Sequence, residues 1–151
     1  KFRQEIIFKA KNLTIINDSK ATSFSSSENI LKSLKNVYWI LGGIPKKGDK
    51  FQMTRKECNS FKAYIFGNNK SFFIKNLRNK LAIQNFKNLK SALKKVINDI
   101  RLSKSTINHK TILFSPSAAS FDTFSNFEER GDYFNFLLKK YKVKKTINAI
   151  I

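Results

Sequence analysis

The amino-acid sequence predicts an α/β fold: a Rossmann-like, mostly parallel sheet with helices on both faces. Three observations predict it. Short runs of residues are apolar throughout rather than alternating, as in strands buried on both faces. Stretches with apolar residues at helical spacing lie between them. The runs end at glycine or at Ser-Pro, which punctuate a chain where it turns.

In chain order, Glu5 to Phe8 and Thr14 to Ile16 are predicted strands, joined by the tight polar link Lys9 to Asn12. Ser25 and Glu28 have capping-box spacing, so a helix is expected to start there. Ile30, Leu31, Leu34 and Val37 continue its apolar face. Val37 to Leu41 is a continuous apolar strand that stops at Gly42-Gly43. Ala63 to Phe66 is a further strand ending at Gly67, Lys70 to Asn79 a helix, and Leu81 to Ile83 a short strand. Leu89, Ala92, Leu93, Val96, Ile97 and Ile100 form one helical stripe. Thr111 to Phe114 is the last strand, stopped by Ser115-Pro116, and a helical pattern runs from about Phe124 to Tyr141.

Composition bounds the function classes. The chain has 151 residues, 41% of them hydrophobic, which suits one domain with a closed core. Cys58 is the single cysteine and His109 the single histidine, which excludes an internal disulfide framework and a zinc cluster. Cys58 is expected to pack in a helix and His109 to sit at the surface or in a turn. No run approaches the ~20 apolar residues of a membrane span. No signal peptide opens the chain, so a cytoplasmic setting is expected. Lys1 in place of Met suggests a fragment or processed product.

The formal net charge is +20, from 30 Lys and Arg against 10 Asp and Glu. Phosphate neutralisation would give such a chain affinity for nucleic acid. The basic residues are mostly lysine, however, and they are scattered; the densest cluster, Lys139 to Lys145, lies near the C-terminus. Lys, Asn, Ile and Phe share A/T-rich codons, so a Lys-rich solvated surface explains the charge without a polyanionic partner.

In a parallel sheet, ligands bind beyond the carboxyl ends of the strands. Three post-strand segments qualify. Asn17-Asp18-Ser19-Lys20-Ala21-Thr22 sets a carboxylate, an ammonium and hydroxyls ahead of a helix, although an ordinary strand-to-helix turn favours the same residues. Gly42 to Asp49 combines glycines with Lys46 and Lys47 but lacks P-loop spacing. Ser115 to Arg130 carries small residues and hydroxyls, then Phe121, Asp122, Phe124 and Phe127.

Together these segments resemble the C-terminal domain of the Mur ligases, in the branch that adds D-glutamate. The resemblance is carried by Ile16 to Thr22, Leu41-Gly42-Gly43 with Lys46 and Asp49, and Ser115-Pro116 with Ala118 to Asp122. Phe124 and Asn126 to Gly131 complete it. It implies ATP-dependent amide formation in peptidoglycan synthesis: the carboxylate of UDP-N-acetylmuramoyl-L-alanine becomes an acyl phosphate, which the D-glutamate amine attacks. The resemblance implies that Thr22, Lys46, Ser120 and Phe127 hold D-glutamate; Lys47, by its adjacency to Lys46, can take the same role. Lys20 would lie beside the transferred phosphoryl group as the catalytic residue, and Arg3 and Asp18 against the ATP nucleoside.

The implied Mg2+ ligands belong to other domains of the family, so no metal ligand is assigned here. Residues 1–16 would be the end of a central domain or linker strands leading into the C-terminal domain, and 17–151 would form that amino-acid-binding domain. No nucleic-acid or membrane partner is expected, and the state expected is a monomer without turnover as an isolated chain. Two departures stand out: Ser23 where the family has Asn, and Ser117-Ala118-Ala119 where it has Ala-Cys-Ala. The alternatives are a basic nucleic-acid-binding domain and a non-catalytic homologue.

Overall fold

A computed structural model describes residues 1–103 and 108–148. Its elements are β1 (Glu5–Lys9), β2 (Leu13–Asn17), α1 (Phe24–Leu31), β3 (Val37–Gly42), β4 (Phe61–Phe66), α2 (Lys70–Leu77), β5 (Ala82–Phe86), α3 (Leu89–Leu102), β6 (Lys110–Phe114), α4 (Phe127–Lys140) and α5 (Val143–Asn148). The six strands form one sheet in the order β1-β2-β6-β3-β4-β5. All pairings are parallel except that of β1 with β2. The α/β architecture is the one expected.

The apolar strands serve two cores because alternate side chains point to opposite faces. Ile15, Ile40, Tyr64 and Ile112 pack with α3 and α4 on one face. Ile16, Trp39, Ile65 and Leu113 pack with α1 and α2 on the other. Every residue of β2, β3 and β6 is buried, which is why apolar residues follow one another in these segments instead of alternating with exposed polar ones.

Several local expectations are corrected. The N-cap of α1 is Ser23, whose Oγ accepts from the Ser26 N–H at 3.3 Å, rather than Ser25. Glu28 is buried and accepts from the Gln52 N–H at 2.9 Å, so its carboxylate satisfies a distant loop instead of closing a capping box. The helix ends at Leu31, and Val37 already belongs to β3. α2 stops at Leu77, and α4 starts at Phe127 because Asn126 caps it, accepting from the Glu129 N–H at 2.8 Å. Cys58 is buried in a turn, not a helix, and burial raises its thiol to about 11.

The boundary expected between residues 16 and 17 falls inside β2, which pairs with both β1 and β6. Residues 5–17 are therefore part of this sheet. Of the expected domain, residues 104–107 and 149–151 lie outside the described residues.

The connection after β2 runs to α1 on one face, whereas the chain after β6 runs to α4 on the other. Adjacent strands whose connections diverge in this way leave a crevice at their carboxyl ends, where ligands bind in open α/β sheets.

Candidate active site at the carboxyl edge of the sheet

All three segments meet at that crevice. Asn17, the last residue of β2, donates through Nδ2 to the Gly131 carbonyl at 3.0 Å and to Asn135 Oδ1 at 2.9 Å, both on α4. Its own Oδ1 accepts from the Ser19 N–H at 3.1 Å, which shapes the turn. The Ser19 hydroxyl donates to the Phe127 carbonyl at 2.7 Å.

Asp18 is only 3% exposed, and both carboxylate oxygens are engaged. Oδ1 accepts from the Gln4 N–H at 2.9 Å and Oδ2 from the Ser115 hydroxyl at 2.7 Å. Ser27 links to the Ser115 and Ser117 hydroxyls at 2.6 Å each, giving a buried chain of hydroxyls behind Asp18. Burial raises the Asp18 carboxyl above its ordinary value; the Ser115 and Gln4 hydrogen bonds and the Arg3 charge offset part of that rise.

The second segment is fastened at both ends. The N–H of Ile44 donates to the Ala119 carbonyl at 2.9 Å and the N–H of Ala119 returns to Ile44 at 2.8 Å. A Cβ on Gly43 would come within 2.5 Å of the Ala119 carbonyl, so glycine permits this close approach. Further on, Asp49 Oδ2 accepts from the Phe24 N–H at 2.8 Å, tying the segment to the first turn of α1.

Arg130 joins the first and third segments. It is 1% exposed, and its guanidinium donates to Ser19 Oγ at 3.1 Å, to the Ser19 carbonyl and to the Ala118 carbonyl at 2.9 Å. Burial lowers it to about 10, with the Asp122 charge working the other way. The sequence reading assigned Arg130 no role. The signal lay in its spacing, since Arg130 shares the buried side of α4 with Phe134 and Leu137.

The sequence-predicted site residues distribute as follows. Arg3, Asp18 and Lys20 border one small cavity of about 80 Å3. Lys20 Nζ lies 5.6 Å from the centre of the Phe127 ring, so these two are in contact. Thr22 is exposed beside the cap Ser23, and Lys46 and Lys47 are exposed in their loop. Among the described residues, neither Thr22 nor Lys46 is hydrogen-bonded to Lys20 or Phe127. Ser120 is 3% exposed, and its carbonyl accepts from the Phe124 N–H at 2.8 Å. Phe121, 71% exposed, and Ile44, 38% exposed, are apolar residues on the same edge that the sequence reading left without a role.

His109 is exposed just before β6 and bridges Lys11 and Thr14 at the opposite end of the sheet. Among the described residues no group of three or more His, Cys, Asp or Glu side chains can hold a metal ion. No helix among them is long and apolar enough to cross a membrane.

Comparison with curated proteins identifies relatives along the whole chain. A UDP-N-acetylmuramoylalanine--D-glutamate ligase of Wolbachia sp. subsp. Brugia malayi is 35% identical over 151 residues, which is 100% of this chain and 30% of the relative. The enzyme of that name from Prochlorococcus marinus is 39% identical over 152 residues, 95% of this chain and 31% of its own. That from Rickettsia felis is 36% identical over 139 residues, 92% and 30% respectively. Along its whole length the chain is similar to these Mur ligases, matching their C-terminal domain. It spans about 30% of the length of these curated relatives. No family model matches the chain.

The departures from the Mur ligase pattern at positions 23 and 117 have local explanations. Ser and Asn are among the strongest N-caps, so Ser23 preserves the start of α1. Ser117 adopts a positive φ of 58° and adds its hydroxyl to Ser27 in the buried chain.

Proposed function

We propose that this chain supplies the amino-acid side of an ATP-dependent ligase that joins D-glutamate to UDP-N-acetylmuramoyl-L-alanine in peptidoglycan synthesis. The observation that carries the proposal is the convergence of the three segments on one crevice, fastened by Asp18–Ser115, Ile44–Ala119 and Arg130–Ser19. The names borne by the relatives support the same chemistry.

In this proposal Lys46 and Thr22, both exposed, meet the carboxylates of D-glutamate through charge-assisted and hydroxyl hydrogen bonds. Phe127 lines the pocket and Ser120 forms its back wall. Lys20, steadied over the Phe127 ring, offers its ammonium to the transferred phosphoryl group, where a fixed positive charge favours the developing negative charge. Arg3 and Asp18 face the nucleoside. Asp18, already bonded at both oxygens, acts chiefly by anchoring the turn that carries Lys20.

A cavity of about 80 Å3 is far below the ~300–1,000 Å3 of a small-molecule pocket, so the chain offers ATP one wall rather than an enclosed site. The remaining walls, the Mg2+ ligands and the UDP-sugar site are assigned to the part of the relatives that the chain does not span. On this reading the working enzyme is a cytoplasmic monomer, and the isolated chain does not turn over.

The test is a fusion of this chain to the portion of the Rickettsia felis enzyme that it does not match. The fusion is expected to release phosphate from ATP in a D-glutamate-dependent manner. Lys46→Ala, or Lys46→Ala with Lys47→Ala, is expected to raise KM for D-glutamate on the order of 10-fold or more, and Lys20→Ala to lower kcat about 100-fold. An unchanged KM in the double variant overturns the D-glutamate assignment. A folded fusion with no D-glutamate dependence overturns the function.

A further inference from the structure

The opposite end of the sheet holds a much larger cavity, of about 880 Å3, at the amino ends of β3, β4 and β5. Its size falls within the range of small-molecule sites. Arg55, Lys62, Arg78 and Lys80 line it, and among the described residues no Asp or Glu does. These cations come from separate parts of the chain: the turn before β4, β4 itself, the end of α2 and the link to β5. Two of the chain's five arginines thus face one cavity.

The wall is built as well as charged. Lys62 Nζ lies 5.5 Å from the Tyr38 ring centre, and Lys80 Nζ donates to the Phe51 carbonyl at 2.9 Å. The Lys62 ammonium is thereby held against a ring that lines the cavity, which lowers its ordering cost of binding. The ion pairs Lys1–Asp132 and Lys95–Asp99 use none of Arg55, Lys62, Arg78 and Lys80. Glu57 feels the Lys80 charge but lies outside the wall.

We propose that this cavity is a binding site, separate from the crevice at the carboxyl edge, for a small anion carrying two or more phosphates. Guanidinium forks at Arg55 and Arg78 match phosphate oxygens bidentately, and the lysines supply point charges between them. The shared chemistry is a phosphate chain, whether free or attached to a nucleoside.

The test is calorimetric titration of the chain with inorganic tripolyphosphate, repeated with ADP. One site is expected, with ADP and tripolyphosphate competing. Equal affinities assign recognition to the phosphates alone, whereas tighter ADP assigns the site to a nucleotide; each supports the shared chemistry. Arg55→Ser with Arg78→Ser is expected to weaken binding about 10-fold or more, since hydrogen bonds to charged groups are among the strongest single contacts. Lys139→Gln with Lys140→Gln removes the same charge elsewhere and is expected to leave binding unchanged. Lys20→Ala with Lys46→Ala is likewise expected to leave it unchanged, which separates this site from the crevice. Equal weakening by all three pairs, loss of binding in the Lys20 and Lys46 pair, or no binding at all overturns the proposal. Circular dichroism and melting of each variant establish that the fold is retained; should the arginine pair unfold, Lys62→Gln, on the cavity's exposed rim, is expected to weaken binding instead, and its failure to do so also overturns the proposal.

Discussion

At Asp18 burial and hydrogen bonding act in opposite senses, and burial has the larger effect, so the folded carboxyl lies above its ordinary 3.8. The folded protein then holds this proton at a pH where the unfolded chain has released it. The group's contribution to stability is greatest below 3.8 and declines as pH rises through the interval up to the raised folded value, then levels off. Asp18→Asn removes the titration, so its stability relative to the parent is expected to improve as pH rises through that interval. Urea unfolding of both proteins at a series of pH values checks this; parallel profiles would show that Asp18 does not carry the effect. Asp18 was legible as polar and well placed in sequence, but its burial was not. That burial depends on Gln4 and Ser115, which are distant in sequence and adjacent only in the fold.

Among the elements, α1 shows how helix starts are set at this edge. Ser23 Oγ satisfies the Ser26 N–H, and Asp49, from the second segment, satisfies the Phe24 N–H. Ser23→Ala is expected to cost about 1 kcal/mol, and Ser23→Asn only a few tenths, because Asn caps comparably. Denaturant midpoints at constant slope measure both; equal losses would mean that the hydroxyl packs rather than caps. The run Ser23 to Ser27 offers several candidate caps, and spacing alone selects Ser25 with Glu28. The choice falls on Ser23 because Glu28 turns inward to meet the Gln52 N–H. The helices with strong, uninterrupted stripes were legible in full, as Leu89 to Ile100 within α3 illustrates. α5 was not, since its six residues carry too little pattern to register.

Over the whole molecule, the first residues of the chain are fastened to α4, far away in sequence. Phe2 is buried against Gly131, where an added Cβ would lie 2.7 Å from the ring. Gly131→Ala is therefore expected to destabilise the fold by about 1–3 kcal/mol, the usual range for overpacking. Phe2→Ala with Gly131→Ala is expected to cost less than the sum of the single changes, because the two residues share one contact. A double-mutant cycle by denaturation checks the coupling; strict additivity would contradict it. The same long-range fastening makes β1 and β2 part of this sheet.

The sequence by itself determined the α/β class, nearly every strand, and the three segments that carry the resemblance to the Mur ligases. These follow from local physics: apolar runs of strand length, helical stripes, and glycines or Ser-Pro where the chain turns. Only the tertiary structure decided which polar residues are spent on holding the site and which remain open to a ligand. Arg130 and Asp18 are buried, and Lys20, Thr22 and Lys46 are exposed. It also gathered Arg55, Lys62, Arg78 and Lys80 around one cavity, where the sequence shows only scattered lysines and arginines. Burial and the grouping of like charges depend on strand order and crossover, and those are long-range properties that no local pattern encodes.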